Sequence, residues 1–208
     1  NENGTADVRL LNVGKLETYG VELDAAALVV ENLRLSLAMA YTHAEVAEWD
    51  NAPCYPLQTF AQGCDTVLSV GPGGRKNYVQ ASAEGNELPT APEWKYTLNG
   101  DYLLPLANMP FDIFANANYV WQDEVNYDIK GSPLAMQDSY GVANLSVGIV
   151  ENTAERYRVT AFVNNVFDEF YSGQVTDGLS GTAYTELVMM RIPVRSERYA
   201  GVRVKLSW

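Results

Sequence analysis

The run from Ser196 to Trp208, S-E-R-Y-A-G-V-R-V-K-L-S-W, restricts the fold of this chain more than any other feature. Ala200, Val202, Val204, Leu206 and Trp208 share one face of an extended strand. Tyr199, Gly201, Arg203, Lys205 and Ser207 share the other, because successive side chains of a strand point to opposite faces. An apolar face backed by a charged one, finishing on an aromatic, suits a strand set between hydrocarbon and water. Aromatics gather at that boundary in membrane-spanning β-barrels.

Seven segments, this one included, alternate in the same way. Tyr19, Val21, Leu23, Ala25 and Ala27 oppose Gly20, Glu22, Asp24 and Ala26. Leu33, Leu35, Leu37, Met39 and Tyr41 oppose Arg34, Ser36, Ala38 and Ala40. Trp94 to Tyr102, Phe111 to Trp121, Ala143 to Ile149 and Tyr157 to Asn164 follow. Short turns are expected near Asn32, Asn108 and Asn152. Long irregular loops are expected at about 49–92, 123–137 and 168–195. Tight turns at one end and long loops at the other are the rhythm of outer-membrane barrels, with periplasmic turns and extracellular loops. Glu22, Asp24, Lys95, Asp101, Arg158, Arg203 and Lys205 on the polar faces cannot enter a dry core without partners. A wet lumen accommodates them. The fold class expected is all-β, a transmembrane antiparallel up-and-down barrel. The competing reading makes these the solvent faces of ordinary half-buried sheets.

Composition excludes several functions. Lys plus Arg is 14 against 26 Asp plus Glu, a net charge of −12. Nucleic acid needs a basic footprint, and so does docking on anionic lipid. No window approaches the ~18 uninterrupted apolar residues of a spanning helix. Seven strands do not close a barrel, and a lipid-exposed open edge leaves backbone groups unsatisfied. Residues 1–208 are therefore expected to be one part of a larger barrel, the C-terminal part, with Asn1 the start of an excerpt.

Several motifs now resemble one family. Tyr19-Gly20-Val21-Glu22-Leu23, followed by Asn32-Leu33-Arg34-Leu35, resembles a strand and hairpin of TonB-dependent outer-membrane receptors. Leu88-Pro89-Thr90-Ala91-Pro92 resembles the start of their next strand. Asn144-Leu145-Ser146-Val147-Gly148, the run Val163-Asn164-Asn165-Val166-Phe167-Asp168-Glu169-Phe170-Tyr171, and Arg198-Tyr199-Ala200-Gly201-Val202 resemble three later strands. The family usually ends in Phe, where this chain has Trp208. The resemblance implies a bacterial outer-membrane receptor with a 22-stranded barrel, of which about the last seven strands lie here. It implies a plug domain and an energy-coupling box, neither present in this sequence. The partners it implies are the TonB energy-coupling complex acting through a plug, the barrel assembly machinery, outer-membrane lipid and a scarce ligand. A ferric siderophore is the default ligand, with a glycan or cobalamin as others. A passive porin-like channel and a soluble all-β carbohydrate-binding or adhesion module are the rival readings.

Cys54 and Cys64 fall in the first long loop. An extracellular loop is oxidising, so a disulfide is expected; free thiols or a metal pair are the alternatives. The sole histidine, His43, lies well outside the 54–64 segment, so no ligand set for zinc forms there. The same loop carries Trp49, Tyr55, Phe60, Arg75, Lys76 and Tyr78. The last long loop carries Tyr171, Tyr184, Arg191 and Arg195. Aromatics and arginines at a barrel mouth suit stacking on, and ion pairing with, an anionic ring-bearing ligand. For any one of them, loop packing is the plainer role. Tyr41, Trp94, Tyr96, Tyr119, Trp121 and Trp208 are expected at the membrane interface. Asp123, Glu124 and Asp128 have the hard oxygens of a calcium site, but solvated loop acids are the plainer account. No nucleophile–base–orienter set is present, so no catalytic residue, metal or cofactor is expected and the chain is not read as an enzyme.

Overall fold

The computed structural model describes residues 12, 14–180, 185–194 and 196–208. In chain order the strands are β1 (Lys15–Val30), β2 (Leu33–Glu48), β3 (Thr66–Val70), β4 (Lys76–Val79), β5 (Trp94–Leu104), β6 (Phe111–Gln122) and β7 (Val125–Asn126). They continue as β8 (Met136–Gln137), β9 (Tyr140–Glu151), β10 (Tyr157–Asn164), β11 (Gln174–Ser180), β12 (Thr185–Arg191) and β13 (Tyr199–Leu206). Among the described residues there is no α-helix, only single 3-10 turns at Phe60–Gln62 and Pro72–Gly74.

Seven strands form one antiparallel sheet in the order β1-β2-β5-β6-β9-β10-β13. Each pairs with the wall strands before and after it in the chain, so the sheet is an up-and-down meander and an open segment of barrel wall. These are the seven alternating segments expected. β1 and β2 are longer than their alternation indicates, at 16 residues each. At about 3.3 Å per residue that is roughly 53 Å, well beyond a hydrocarbon core of about 30 Å. The tight turns hold Asn32 at φ 69° and Asn108 at φ 67°, left-handed conformations that asparagine tolerates. At the third short turn, the Glu151 carboxylate accepts the Arg156 backbone N–H at 2.9 Å and lies 2.7 Å from its guanidinium.

The long loops are less irregular than their Gly- and Pro-rich sequence implies. Each folds back as a small hairpin of its own: β3–β4, β7–β8 and β11–β12.

The apolar stripe of the wall is bare. Val21 is 68% exposed and Val202 is 69% exposed, with Leu23, Leu98, Val147 and Val204 also open. The accessible surface is 14032 Å², whereas a globular chain of this mass exposes about 9,600 Å². Among the described residues no second layer covers the stripe, which removes the soluble sandwich. Among the described residues a hydrophobic cluster of buried side chains lies under the loops: Val46, Trp49, Ala52 and Ala83, with Leu88 and Ile129 against it.

Aromatic rings mark the two ends of the bare stripe. Near the long-loop end Tyr41 meets Trp94 at 4.8 Å between ring centres, and Tyr96 stacks on Trp121 at 5.0 Å. Tyr119 lies over Gly141, where a Cβ would fall 2.7 Å from its ring. Tyr102 stands eight residues below Trp94 on the same face, about 26 Å along the strand at about 3.3 Å per residue. Trp208 is fully exposed at the short-turn end.

Candidate functional site

The opposite face of the wall is polar and cross-linked. Strand register places Ser36, Asn99, Asn118 and Asn144 side by side on β2, β5, β6 and β9. Asn99 Nδ2 donates to Ser36 Oγ at 3.2 Å. Asn118 Nδ2 donates to Asn99 Oδ1 at 2.7 Å, and Asn144 Nδ2 to Asn118 Oδ1 at 3.0 Å. A second rung runs from Asp101 through Asn116, at 2.6 Å, to Ser146 at 3.3 Å. A recess of about 460 Å³ opens over these rungs. This face fits water, and its amides offer donors and acceptors rather than a reactive centre.

Asn165 extends the first rung. Its backbone N–H donates to Asn144 Oδ1 at 3.0 Å. Its side chain, 1% exposed, donates to the carbonyls of Ser196 at 2.6 Å and Glu169 at 2.8 Å and accepts the Glu169 N–H at 2.9 Å. Asp168 Oδ1 accepts the Arg198 N–H at 2.9 Å. Asn165 and Asp168 thus hold the exit of β10 against the entry of β13.

Over the long-loop end the loops are stitched to one another. Gln80 Nε2 donates to the carbonyls of Pro53 at 3.0 Å and Lys130 at 3.1 Å. Asn86 Nδ2 donates to the Ile129 carbonyl at 3.1 Å. Gln137 Oε1 accepts from the N–H and hydroxyl of Ser172, and the Ser132 hydroxyl donates to Asp177. Tyr140 stacks on Tyr171 at 4.5 Å. Sequence reasoning missed these bonds, because the partners lie 27–50 residues apart and no local pattern marks them. Between loops and wall lies a recess of about 500 Å³ lined by Thr42, Thr90, Lys95, Gln122, Tyr127 and Tyr140. Burial raises the Tyr127 phenol above its usual range, so it stays a neutral donor.

The ligand candidates are divided by this packing. Trp49, 8% exposed, is committed to the loop cluster. Tyr55 is half-buried, and its N–H donates to Gln58 Oε1. Phe60 and Tyr78 pair at 4.7 Å, with Phe60 outermost and Arg75 and Lys76 exposed nearby in sequence. Arg191 is exposed at the end of β12; Tyr184 and Arg195 lie outside the described residues. Cys54 and Cys64 are joined by a disulfide with their Cα atoms 5.7 Å apart. Asp128 pairs with Lys130 at 3.0 Å. Among the described residues no three His, Cys, Asp or Glu side chains converge, at 123–128 or elsewhere.

Two outcomes follow for the first loop. Replacing both cysteines with serine removes a ring worth roughly 2–3 kcal/mol to the loop. Limited proteolysis is expected to nick residues 54–64 faster while the thermal unfolding of the wall stays unchanged. Glu87 faces Glu45 in an antiparallel bridge. Partial burial, then the charges of Glu124, Glu93 and Asp123, raise its carboxyl pKa, against a small opposing effect of His43. A raised folded value means the carboxylate destabilises the loop at neutral pH, and this penalty disappears as pH falls through that value. Hydrogen exchange of residues 49–92 should therefore be slower in Glu87→Gln than in the wild type at about pH 7. The two should converge below about pH 4.

A one-layer wall with a bare aromatic-bounded stripe outside, an amide-lined face inside and stitched loops at one end defines a membrane β-barrel segment. The chain belongs to the family described as TonB dependent receptor-like, beta-barrel, whose family model matches residues 1–166. That family is one of outer-membrane receptor barrels, not of enzymes. The ferric yersiniabactin uptake receptor FyuA from Yersinia pestis is similar in fold, with a TM-score of 0.62 at 15% identity over 94% of this chain and 24% of that one. The siderophore receptor PiuA from Acinetobacter baumannii gives a TM-score of 0.58 at 17% identity over 91% and 21%. The chain thus spans about a quarter or less of the length of these solved structures. No curated protein matches the sequence.

Proposed function

We propose that residues 1–208 form the C-terminal part of the barrel of an outer-membrane active-transport receptor. The remainder of the protein supplies the other strands and a plug. The stitched loops face the cell exterior and capture a scarce ligand, and the short turns and Trp208 face the periplasm. A ferric siderophore is the ligand favoured here, from the family and from the printed functions of FyuA and PiuA. Import draws on the TonB energy-coupling complex acting on the plug. The final strand serves the barrel assembly machinery, and the bare stripe meets outer-membrane lipid. The observation that carries this reading is the arrangement of an uncovered apolar stripe beneath a folded rim of loops.

At that rim Phe60, Tyr78 and Arg75 are the accessible ring and guanidinium groups of the first loop. Their chemistry suits an anionic aromatic chelate. The test uses the full-length receptor. Ferric-siderophore binding, followed by quenching of tryptophan fluorescence, is expected to weaken about tenfold in a Phe60→Ala, Arg75→Ala double variant, since two such contacts are worth about 1–2 kcal/mol. Uptake by cells is expected to cease when the proton-motive force is collapsed. Uptake that persists without it would identify a passive channel instead.

A further inference from the structure

The bare stripe on the outer face is not evenly filled. On β6, Ala115 and Ala117 stand between Tyr102 and Gly100 of β5 and Val147 and Leu145 of β9. Leu35 of β2 leans over Gly100, where a Cβ would come within 3.3 Å of it. Farther along the same two rows of register partners, Ala161 of β10 and Ala200 of β13 are small again. Low side chains between tall ones leave an open recess of about 910 Å³. It crosses the wall from β2 to β13, a path of five strand spacings or about 24 Å. Its β2 end is Leu33, beside the short turn at Asn32. Its β13 end is Val202, six residues before Trp208. The recess therefore climbs away from the short-turn end as it crosses the wall. With membrane strands tilted by about 40°, that length rises about 15 Å. This is half of a hydrocarbon core of about 30 Å.

We propose that this recess holds one acyl chain of a phospholipid from the periplasmic leaflet, as a bound lipid rather than a passing neighbour. The path is the one such a chain takes. It starts at the short-turn interface, beside the Tyr102 ring, and ends near the bilayer middle. The stripe side chains that line it carry no charge, and Tyr102 is the one polar group among them. The recess therefore selects the chain and not the headgroup. A second copy does not fill it, since two bulging barrel walls touch along a line and leave a trench of this kind empty. An unfilled trench forfeits dispersion contact along its lining, and a flexible hydrocarbon chain restores that contact. The outer face is out of reach of anything the barrel encloses. The proposal rests on the stripe being the lipid-facing side, as in the reading above, but not on what the mouth loops bind.

The experiment uses the full-length receptor in mild detergent, depleted of lipid. Phosphatidylethanolamine and phosphatidylglycerol with matched chains are the probes, and native mass spectrometry counts the lipid retained. The wild type is expected to keep one phospholipid per barrel, with no preference between the two headgroups. An Ala115→Leu, Ala117→Leu double variant fills the recess and should lower retention about tenfold, since each methylene of lost contact counts for roughly fourfold. Ala117→Leu alone should lower it about threefold on the same scale, and serves if the double variant fails to fold. Ala25→Leu makes the same change on the stripe outside the recess and should leave retention unaltered. Heat-modifiable migration on gels reports folding in every case. Absence of retained phospholipid in the wild type overturns the proposal, and so does a dimer that holds none. An equal loss in Ala25→Leu overturns it too, because the lipid is then only the surrounding annulus. Lipopolysaccharide outcompeting both probes has the same force, since that lipid belongs to the other leaflet. Ferric-siderophore capture by the mouth is measured in the same preparations. Its loss with phospholipid retained strikes the receptor reading alone, and the reverse strikes the recess alone.

Discussion

Arginine at Val147 is expected to destabilise the folded barrel by about 2–4 kcal/mol, the cost of a cation facing lipid near the bilayer midplane. Val147 lies near the middle of β9 on the bare stripe, 52% exposed, between Ala115 of β6 and Ala161 of β10. Its neighbour Ser146 faces the other way, toward Asn116. Arginine there is expected to cost less than about 1 kcal/mol, because the guanidinium stays hydrated. Denaturant unfolding of the full-length protein in lipid vesicles gives both values. Tryptophan at Val147 adds a further contrast. Lipid accommodates the larger ring, whereas a close-packed protein core would be strained by about 1–3 kcal/mol. A larger loss from Ser146→Arg than from Val147→Arg would reverse the assignment of the two faces.

Asn165→Ala is expected to cost about 3 kcal/mol, since it removes three side-chain hydrogen bonds and leaves buried backbone groups unpaired. The residue also sits at φ 49°, which alanine tolerates less well than asparagine does. Asn165→Gly separates the two causes: it accepts the backbone angle but restores none of the bonds. If glycine recovers most of the loss, backbone strain rather than the latch to Ser196 explains the effect. Amide exchange at Glu169, whose N–H bonds to Asn165 Oδ1, offers a local reading independent of global unfolding.

The wall was legible because its rule is local. A two-residue period needs no knowledge of distant partners, so Leu33 to Tyr41 and Tyr157 to Asn164 could be placed on strands and faces from sequence alone. The upward extension of β1 and β2 was not legible, because beyond the lipid-facing stretch alternation loses its apolar contrast: Glu45, Val46, Ala47 and Glu48 no longer separate into two faces by polarity. The rim was least legible. Trp49 reads as a ligand-facing aromatic until Ala83 and Ile129, far along the chain, are seen to enclose it. The asparagines of the inner face read as hydrogen-bonding groups, but their order into a row depends on the register of four strands at once. The cations Arg158, Arg203 and Lys205 were recognisable as wet. The rings beside the two arginines, Phe114 at 3.9 Å from Arg158 and Phe162 at 5.5 Å from Arg203, were not, since they break the polar pattern of the face they occupy.

The stitching of the loops bears on how such a receptor could change its preference. Gln80 and Asn86 grip the backbone of the neighbouring loop rather than its side chains, so residues 129 and 130 can vary in type without loosening the joint. Insertions are a different matter, because any added residue displaces the gripped carbonyls. Drift in specificity is thus expected to proceed by side-chain exchange at constant loop length, or by wholesale replacement of the rim as a cassette. A chimera that transplants all of its loops together should hold its shape where a single-loop graft sags.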